Sequence, residues 1–271
     1  MEESYVNKPT PRRIPREFLW RRAQSLAGLF LVLYLIEHLL TNSQAALFIG
    51  DDGSGFVRAV NFIKSLPYLQ VIEITLIGFP ILLHGGLGIT YLFSARYNSR
   101  TSDGSKPSLS DLPRNHAYTW QRLTAMILVL GLFGHVLTMR FLNEPELVGK
   151  QYVVSLTTDD GLKSLAQRLN VTLIENGQTV LAESDSPGTA FLLLVRETFK
   201  SPLLCSLYTI FVLAACFHAS NGLWTFCITW GLTLNESSRL MMRRVSNALM
   251  VLLAFFGGAS IWLTYWINLR G

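Results

Sequence analysis

Five long apolar runs separated by polar stretches organise the chain, at residues 23–47, 68–93, 121–142, 203–232 and 246–267. Crossing a hydrocarbon layer of roughly 30 Å takes about 20 residues of helix, so each run is long enough to span a membrane. Residues 150–200 break this pattern. They predict a strand at 152–157, a helix capped by Asp159 and Asp160 and running to Leu169, and a strand at 171–174. Asn176-Gly177 predicts a hairpin turn into a strand at 179–182, and the short apolar run 191–195 is taken as a further strand. The 98–113 stretch, rich in Ser, Pro and Asp, reads as a surface loop. The expected fold is an all-α integral membrane protein of five transmembrane helices, with a small α+β extramembrane insertion between helices 3 and 4. Its expected divisions are 1–142 (N-terminus and helices 1–3), 143–200 (the insertion) and 201–271 (helices 4 and 5).

Composition agrees. Half of the 271 residues are hydrophobic and 15% are charged, with a mean hydropathy of +0.33, values of an integral membrane protein rather than a soluble two-domain one. The basic residues are unevenly placed. Lys8, Arg12, Arg13, Arg16, Arg21 and Arg22 precede the first run. Arg96, Arg100, Lys106, Arg114 and Arg122 lie between the second and third, and Arg239, Arg243 and Arg244 between the fourth and fifth. The other two connectors and the C-terminal end are poorer in such charge or too long for the rule to apply, so the N-terminus is expected inside and the C-terminus outside. The net charge of +5 therefore reports topology and does not point to nucleic acid. The N-terminal arginines look like a signal peptide's basic region, but the run after them is long and lacks a small-residue cleavage site, so it is expected to stay as helix 1. Cys205, Cys216 and Cys227 recur within the fourth run at a spacing too long for a disulfide and form no CxxC pattern; they read as packing residues.

Four of the five histidines, His38, His84, His135 and His218, fall one to a run in the first four runs. An imidazole in hydrocarbon is costly and marks an ion path, a proton relay or a bound cofactor. Depth separates them into two levels. Counted at the helical rise from the outer ends, His38 lies roughly 9–18 Å deep and His135 roughly 8–14 Å, whereas His84 and His218 lie about 25–27 Å deep. Counted from the inner side His218 is shallower, because the fourth run continues to Leu234; a tilted or protruding helix reconciles the two counts. Two pairs at two levels suit two b-type haems, each iron taking one imidazole from each of two facing helices: an outer one between helices 1 and 3, an inner one between helices 2 and 4. Gly85, Gly86 and Gly88, Gly131 and Gly134, and Ala219 and Gly222 flank these histidines, where a flat macrocycle needs the backbone to come close. His116 reads as a residue of the polar connector before helix 3.

Further residues are candidates by position. Arg22, Ser25 and Arg122 lie near the inner end, within reach of haem propionates or a quinone carbonyl, although the arginines also read as positive-inside anchors. Glu37 and Glu73 are acids within apolar runs, a pattern of proton handling at a quinone site or of a polar network near the outer interface. Trp224, Trp230, Trp262 and Trp266 read as aromatic belts. Two other readings stay open on these residues, a diheme cytochrome b serving another membrane oxidoreductase and a haem-free transporter with histidine relays.

Several motifs carry a resemblance. Helix 1 has Arg22-Ala-Gln-Ser25-Leu-Ala-Gly28 and later Glu37-His38-Leu39-Leu40-Thr41-Asn42-Ser43; helix 2 has Leu83-His84-Gly85. Helix 3 has Gln121-Arg122-Leu123-Thr124 leading to Gly134-His135-Val136, and helix 4 has Phe217-His218-Ala219-Ser220-Asn221-Gly222-Leu223-Trp224-Thr225. Together they resemble the cytochrome b558-type membrane anchors of succinate dehydrogenases and fumarate reductases. The likeness covers every membrane run but not residues 143–200. It implies two haems b on His38, His84, His135 and His218, and a multi-pass place in a bacterial inner membrane. It further implies an FAD flavoprotein and an iron–sulfur subunit as partners on the cytoplasmic face, with electrons exchanged with a membrane quinone, generally menaquinone. The chain has no dinucleotide fingerprint and no cysteine cluster, so flavin and iron–sulfur chemistry belongs to partners and no catalytic residue is expected here.

Overall fold

The computed structural model describes residues 14–94, 99, 102–104, 108–177 and 179–270. Lys8, Arg12, Arg13, Arg96, Arg100 and Lys106, which entered the charge pattern, lie outside the described residues, as does part of the 98–113 loop. Five helices are long and apolar enough to cross a membrane: helix 1 (Arg16–Ser43), helix 2 (Leu69–Phe93), helix 3 (Pro113–Leu142), helix 4 (Pro202–Thr229) and helix 5 (Glu236–Trp262). The chain is thus an all-α multi-pass membrane protein with a small sheet-bearing insertion.

Helices 1, 3 and 5 begin well before their apolar runs. Pro113 starts helix 3 at a position where its missing N–H costs nothing. Asn235 and Ser238 start helix 5 with a reciprocal capping box. The charged stretches 114–116 and 239–243 are therefore helical, and His116 belongs to helix 3 rather than to a connector. Helix 4 stops at Thr229; the apolar residues on to Leu234 are non-helical, which explains why counting from that side made His218 shallow.

Helix 1 packs against helices 2, 4 and 5, and helix 4 against helices 1, 3 and 5. Where helices 1, 4 and 5 meet, Leu39, Cys216 and Leu253 are buried together. A Cβ on Gly257 would come within 2.3 Å of Val212 there, so only glycine lets helices 4 and 5 approach this closely. The three cysteines are buried and unpaired, as packing residues should be. Three π-helical turns, Ile74–Gly78, Leu137–Leu142 and Thr264–Asn268, sit where helices 2, 3 and 5 meet the insertion side. The first immediately precedes Pro80, whose ring cannot continue the helical ladder; a widened turn absorbs the mismatch.

On that same side the chain builds a module. Strands β1 (Glu146–Val148), β2 (Gln151–Thr157), β3 (Thr172–Asn176) and β4 (Thr179–Ser184) form an antiparallel sheet in the order β1-β2-β4-β3. Asn176 pairs with Thr179 across the expected hairpin, with Gly177 at φ +65°; Gln178 lies outside the described residues. Val154 and Leu156 pair with Ala182 and Val180 on the buried face, the alternation of a half-covered sheet. The short helix Leu162–Arg168 begins after Gly161, whose amide donates to Asp159 Oδ1 at 3.1 Å; the same carboxylate also holds Arg196. Residues 191–195 are not a strand. They lie in a helix, Pro187–Thr198, started by Ser186 accepting from the Thr189 amide and by Pro187. A short apolar run reads alike in a buried strand and a buried helix, and the cap decides. Sequence reasoning also missed β1 and the helix Ser54–Lys64 in the connector between helices 1 and 2.

The Pro187–Thr198 helix is sandwiched between the sheet and the Ser54–Lys64 helix. Asn61 Oδ1 accepts from the Gly188 amide at 2.7 Å. The core of the module is continuous with the bundle: Ala45, Phe56, Leu156, Leu192, Phe199, Cys205, Ile261 and Leu269 are buried in one cluster.

Candidate cofactor site

Four helices bring four imidazoles together as two pairs. The ring centroids of His38 and His135 are 5.9 Å apart at an interplanar angle of 78°. Those of His84 and His218 are 6.1 Å apart at 84°. In helix 1, His38 belongs to the first pair, while Gly28 touches the His84 ring; a Cβ at Gly28 would meet its Cε1 at 2.9 Å. Ten residues of helix separate those two positions, about 15 Å of rise. Helix 3 repeats the interval, since Thr124 touches His218 and His135 follows 11 residues later, about 17 Å on. The pair on helices 1 and 3 lies toward the module; the pair on helices 2 and 4 lies toward the opposite face.

Every one of the four rings is held by its Nδ1. His84 Nδ1 is 2.9 Å from the Gln24 carbonyl, and His218 Nδ1 is 3.3 Å from the Thr124 hydroxyl. That hydroxyl donates to the Trp120 carbonyl at 2.8 Å, so toward His218 it accepts. His38 Nδ1 lies 3.3 Å from the Tyr34 hydroxyl and His135 Nδ1 3.2 Å from the Tyr208 hydroxyl. Among the described residues no Nε2 of the four has a hydrogen-bond partner. An imidazole that gives its Nδ1–H to a neighbour presents a bare Nε2, which is how metal-ligating histidines are oriented.

This donor set fits a haem. Among the described residues no three His, Cys, Asp or Glu side chains converge as a metal cage would need, but a haem takes only two axial ligands from the protein. A metal–imidazole bond of about 2 Å, with each ring nitrogen about 1 Å from its centroid, puts the centroids of two sandwiching imidazoles about 6 Å apart. Both pairs meet that spacing. Gly85 and Gly134, next to the histidines, have nothing within 4 Å of where a Cβ would stand, Gly86 faces outward, and Gly131 is filled by the Phe211 ring. Among the described residues, the Nε of Arg122 and the hydroxyl of Ser220 are buried without a hydrogen-bond partner, as are the hydroxyls of Thr233 and Ser246 and the indole N–H of Trp266.

The remaining candidates divide by end. At the face opposite the module, Arg22 donates to the Thr229 carbonyl and stacks on Trp230 at 5.2 Å, and Ser25 accepts from Trp230 Nε1 at 3.3 Å. These two are therefore engaged with the end of helix 4. Arg122 lies over Tyr118 at 3.5 Å, and Arg114 over Trp224 at 3.3 Å. His116 Nε2 is bound to the Ser110 carbonyl at 2.6 Å, away from both pairs. On the module side, Glu37 accepts from Thr41 at 2.9 Å, and Glu73 pairs with Arg140 at 3.6 Å. Arg140 also pairs with Glu144, which Lys64 meets at 3.1 Å.

The chain is 26% identical over 243 residues to the succinate dehydrogenase cytochrome b558 subunit of Bacillus subtilis (strain 168), covering 89% of this chain and 94% of that protein. The chain is a homologue of that cytochrome b558 subunit. No protein-family model matches it. In this cytochrome b558 homologue the residues that sequence reasoning missed are the holders of the rings. Gln24 acts through its backbone carbonyl, which leaves no mark in a sequence. Tyr34 and Thr124 were detectable as polar groups in apolar runs, one helical turn from His38 and within the helix 3 motif. Gln121 and Asn221 join helices 3 and 4: Gln121 Nε2 donates to the His218 carbonyl at 3.1 Å, and Asn221 Nδ2 donates to Gln121 Oε1 at 2.8 Å.

Proposed function

We propose that this cytochrome b558 homologue is the membrane anchor and diheme subunit of a succinate:quinone oxidoreductase, with one haem b on His38 and His135 and another on His84 and His218. The observation that carries the reading is the pair of crossed imidazole pairs at two depths, each with Nε2 unengaged. When bound, each haem supplies a site that takes up and gives back one electron. The residues around it hold the rings by Nδ1, and Arg122 and Ser220, near in sequence to Thr124 and His218, bring buried donors that a propionate or quinone carbonyl would engage. Purified with its partners, the complex is expected to contain two low-spin haems b per chain by optical spectrum and pyridine-haemochrome assay. One haem per chain defeats the diheme reading, and none favours a haem-free transporter.

The basic excess assigns the N-terminal face to the cytoplasm, in what the family resemblance makes a bacterial inner membrane. There Arg22, Arg114, Arg122, Arg239 and Arg243 have no carboxylate in ion-pair range among the described residues. This cationic face suits docking of the FAD flavoprotein and iron–sulfur subunits, which would hold the succinate and flavin chemistry.

The quinone, menaquinone in this reading, is assigned to the module side, where Glu37, Glu73, Tyr34 and Arg140 gather beside the outer pair. Reducing a quinone to its quinol takes two electrons and two protons, and the carboxylates of Glu37 and Glu73 are placed to pass those protons. Electrons passing outward from the cytoplasmic face then move with a membrane potential that is negative inside, which favours the step by about 2.3 kcal/mol per charge per 100 mV. In sealed vesicles an uncoupler is expected to slow succinate:quinone turnover while leaving dye reduction at the flavoprotein unchanged. Glu37→Gln or Glu73→Gln is expected to impair quinone turnover with both haems retained. Turnover indifferent to the uncoupler would move the quinone toward the inner pair, Ser25 and Arg22.

A further inference from the structure

The two imidazole pairs are held differently. In the inner pair the Nδ1 partners are a backbone carbonyl, Gln24, and the Thr124 hydroxyl, itself tied to the helix backbone. In the outer pair both partners are phenols. Tyr34 stands one turn before His38 on the same helix, its ring 5.4 Å away and tilted by 32°. Tyr208 reaches across from helix 4 to His135 on helix 3, ring to ring at 5.8 Å and 81°.

Tyr208 has a second attachment. Phe199, at the end of the module three residues before helix 4, meets it edge to face at 5.3 Å and 88°. Phe199 is only 6% exposed, and its carbonyl accepts from the Cys205 thiol at 3.3 Å. Phe211 fills the other side, 6.2 Å from Tyr208 and 6.0 Å from His135. A phenol ring has few torsions, so bracing it on two sides aims its hydroxyl. The chain Phe199–Tyr208–His135 thus runs from the extramembrane module directly to one outer imidazole.

We propose that Tyr34 and Tyr208 are positioning residues that fix the tautomer and ring planes of the outer histidine pair, and that the module acts on this pair through Phe199. The inference rests on the haem reading above. Each phenol oxygen accepts the Nδ1–H of its histidine, which turns Nε2 toward the partner ring and raises its basicity as a ligand. The 78° crossing of the outer planes is then maintained by two side-chain hydroxyls, whereas the inner crossing leans on the helix ladders. The module thereby gains a role: it bears on the outer haem position without touching it.

Phenylalanine keeps the ring and removes only the hydroxyl, so Tyr34→Phe and Tyr208→Phe separate positioning from packing. The anisotropy of a low-spin ferric signal follows the angle between its two imidazole planes, so the readout is electron paramagnetic resonance and redox titration of the assembled complex. The outer signal is the one that His38→Ala removes. Each variant is expected to retain both haems, to shift the largest g value of the outer signal, and to raise the outer midpoint potential as the ligand loses its acceptor. The inner signal and potential stay in place. Phe199→Leu, with both hydroxyls intact, is expected to give a smaller shift in the same outer signal. An outer signal unchanged in both tyrosine variants overturns the proposal. So does an equal change at the inner signal, or loss of both haems, because either means that the phenols carry the fold rather than the ligand. A wild-type complex without two low-spin signals would instead defeat the haem reading on which the proposal stands.

Discussion

Replacing His38 or His135 with alanine is expected to remove the module-side haem and leave the other, halving the haem content of the complex. Replacing His84 or His218 is expected to do the reverse. The rings of each pair lie 5.9 and 6.1 Å apart, and the pairs are separated by about 15 Å along helix 1, so no histidine of one pair can substitute in the other. In the diheme reading, each haem would be held by both histidines of one pair and would supply one-electron chemistry there; losing one histidine would cost it most of its hold. The helices should survive, because the bundle core at Leu39, Cys216 and Leu253 is made elsewhere. The check is a haem assay with low-temperature optical spectra of each variant complex. Loss of the same haem from the His38 and His84 variants would falsify the pairing.

The second large effect is expected at Asp159. Arg196 is 1% exposed, and its guanidinium is enclosed by Asp159 at 2.7 and 2.8 Å and by the Leu269 carbonyl at 2.6 Å. It therefore joins the loop before Leu162–Arg168 to Leu269, just past the turn Thr264–Asn268 that follows helix 5, where carbonyls lack partners of their own. Lys200 adds a contact of 2.6 Å to the same carboxylate. Asp159→Asn leaves a buried cation short of its counter-charge, a loss of about 3–5 kcal/mol in comparable buried pairs. Limited proteolysis should then nick the module readily, while Asp159→Asn combined with Arg196→Met should recover part of the protection. Unchanged protection in the single variant would show that the module is held without this pair. A pH dependence follows. Burial opposes the charge on Asp159, but hydrogen bonds from Arg196 and Lys200 and their charges outweigh it and hold the carboxyl well below the usual range. A lowered folded pKa means that the stabilisation is complete above the ordinary carboxylate value of about 3.9 and fades as pH falls below it. The wild-type module is thus expected to loosen only in acid below about pH 4, and the Asp159→Asn variant to lose that component of its acid response.

The sequence by itself determined the number of membrane helices, because a bilayer demands about 20 apolar residues in each crossing and that demand is local. It also placed one histidine in each of four helices, at two depths, since depth along a helix is a residue count. The hairpin at Asn176-Gly177 was legible for the same reason: its turn chemistry is carried by adjacent residues. Where helices started was less so, because Arg114 and Arg239 look like connector residues until Pro113 and the Asn235 cap are recognised. Residues 191–195 read equally as strand or helix. Only the tertiary structure decided which rings face each other and what holds them. The Gln24 carbonyl meets His84, and Tyr208 of helix 4 meets His135, through packing between segments distant in sequence, and no periodicity within one segment encodes such a meeting. Arg196 shows the same limit. Its partners Asp159 and Leu269 lie 37 and 73 residues away, and a buried charge is explained only when the groups that enclose it are in place.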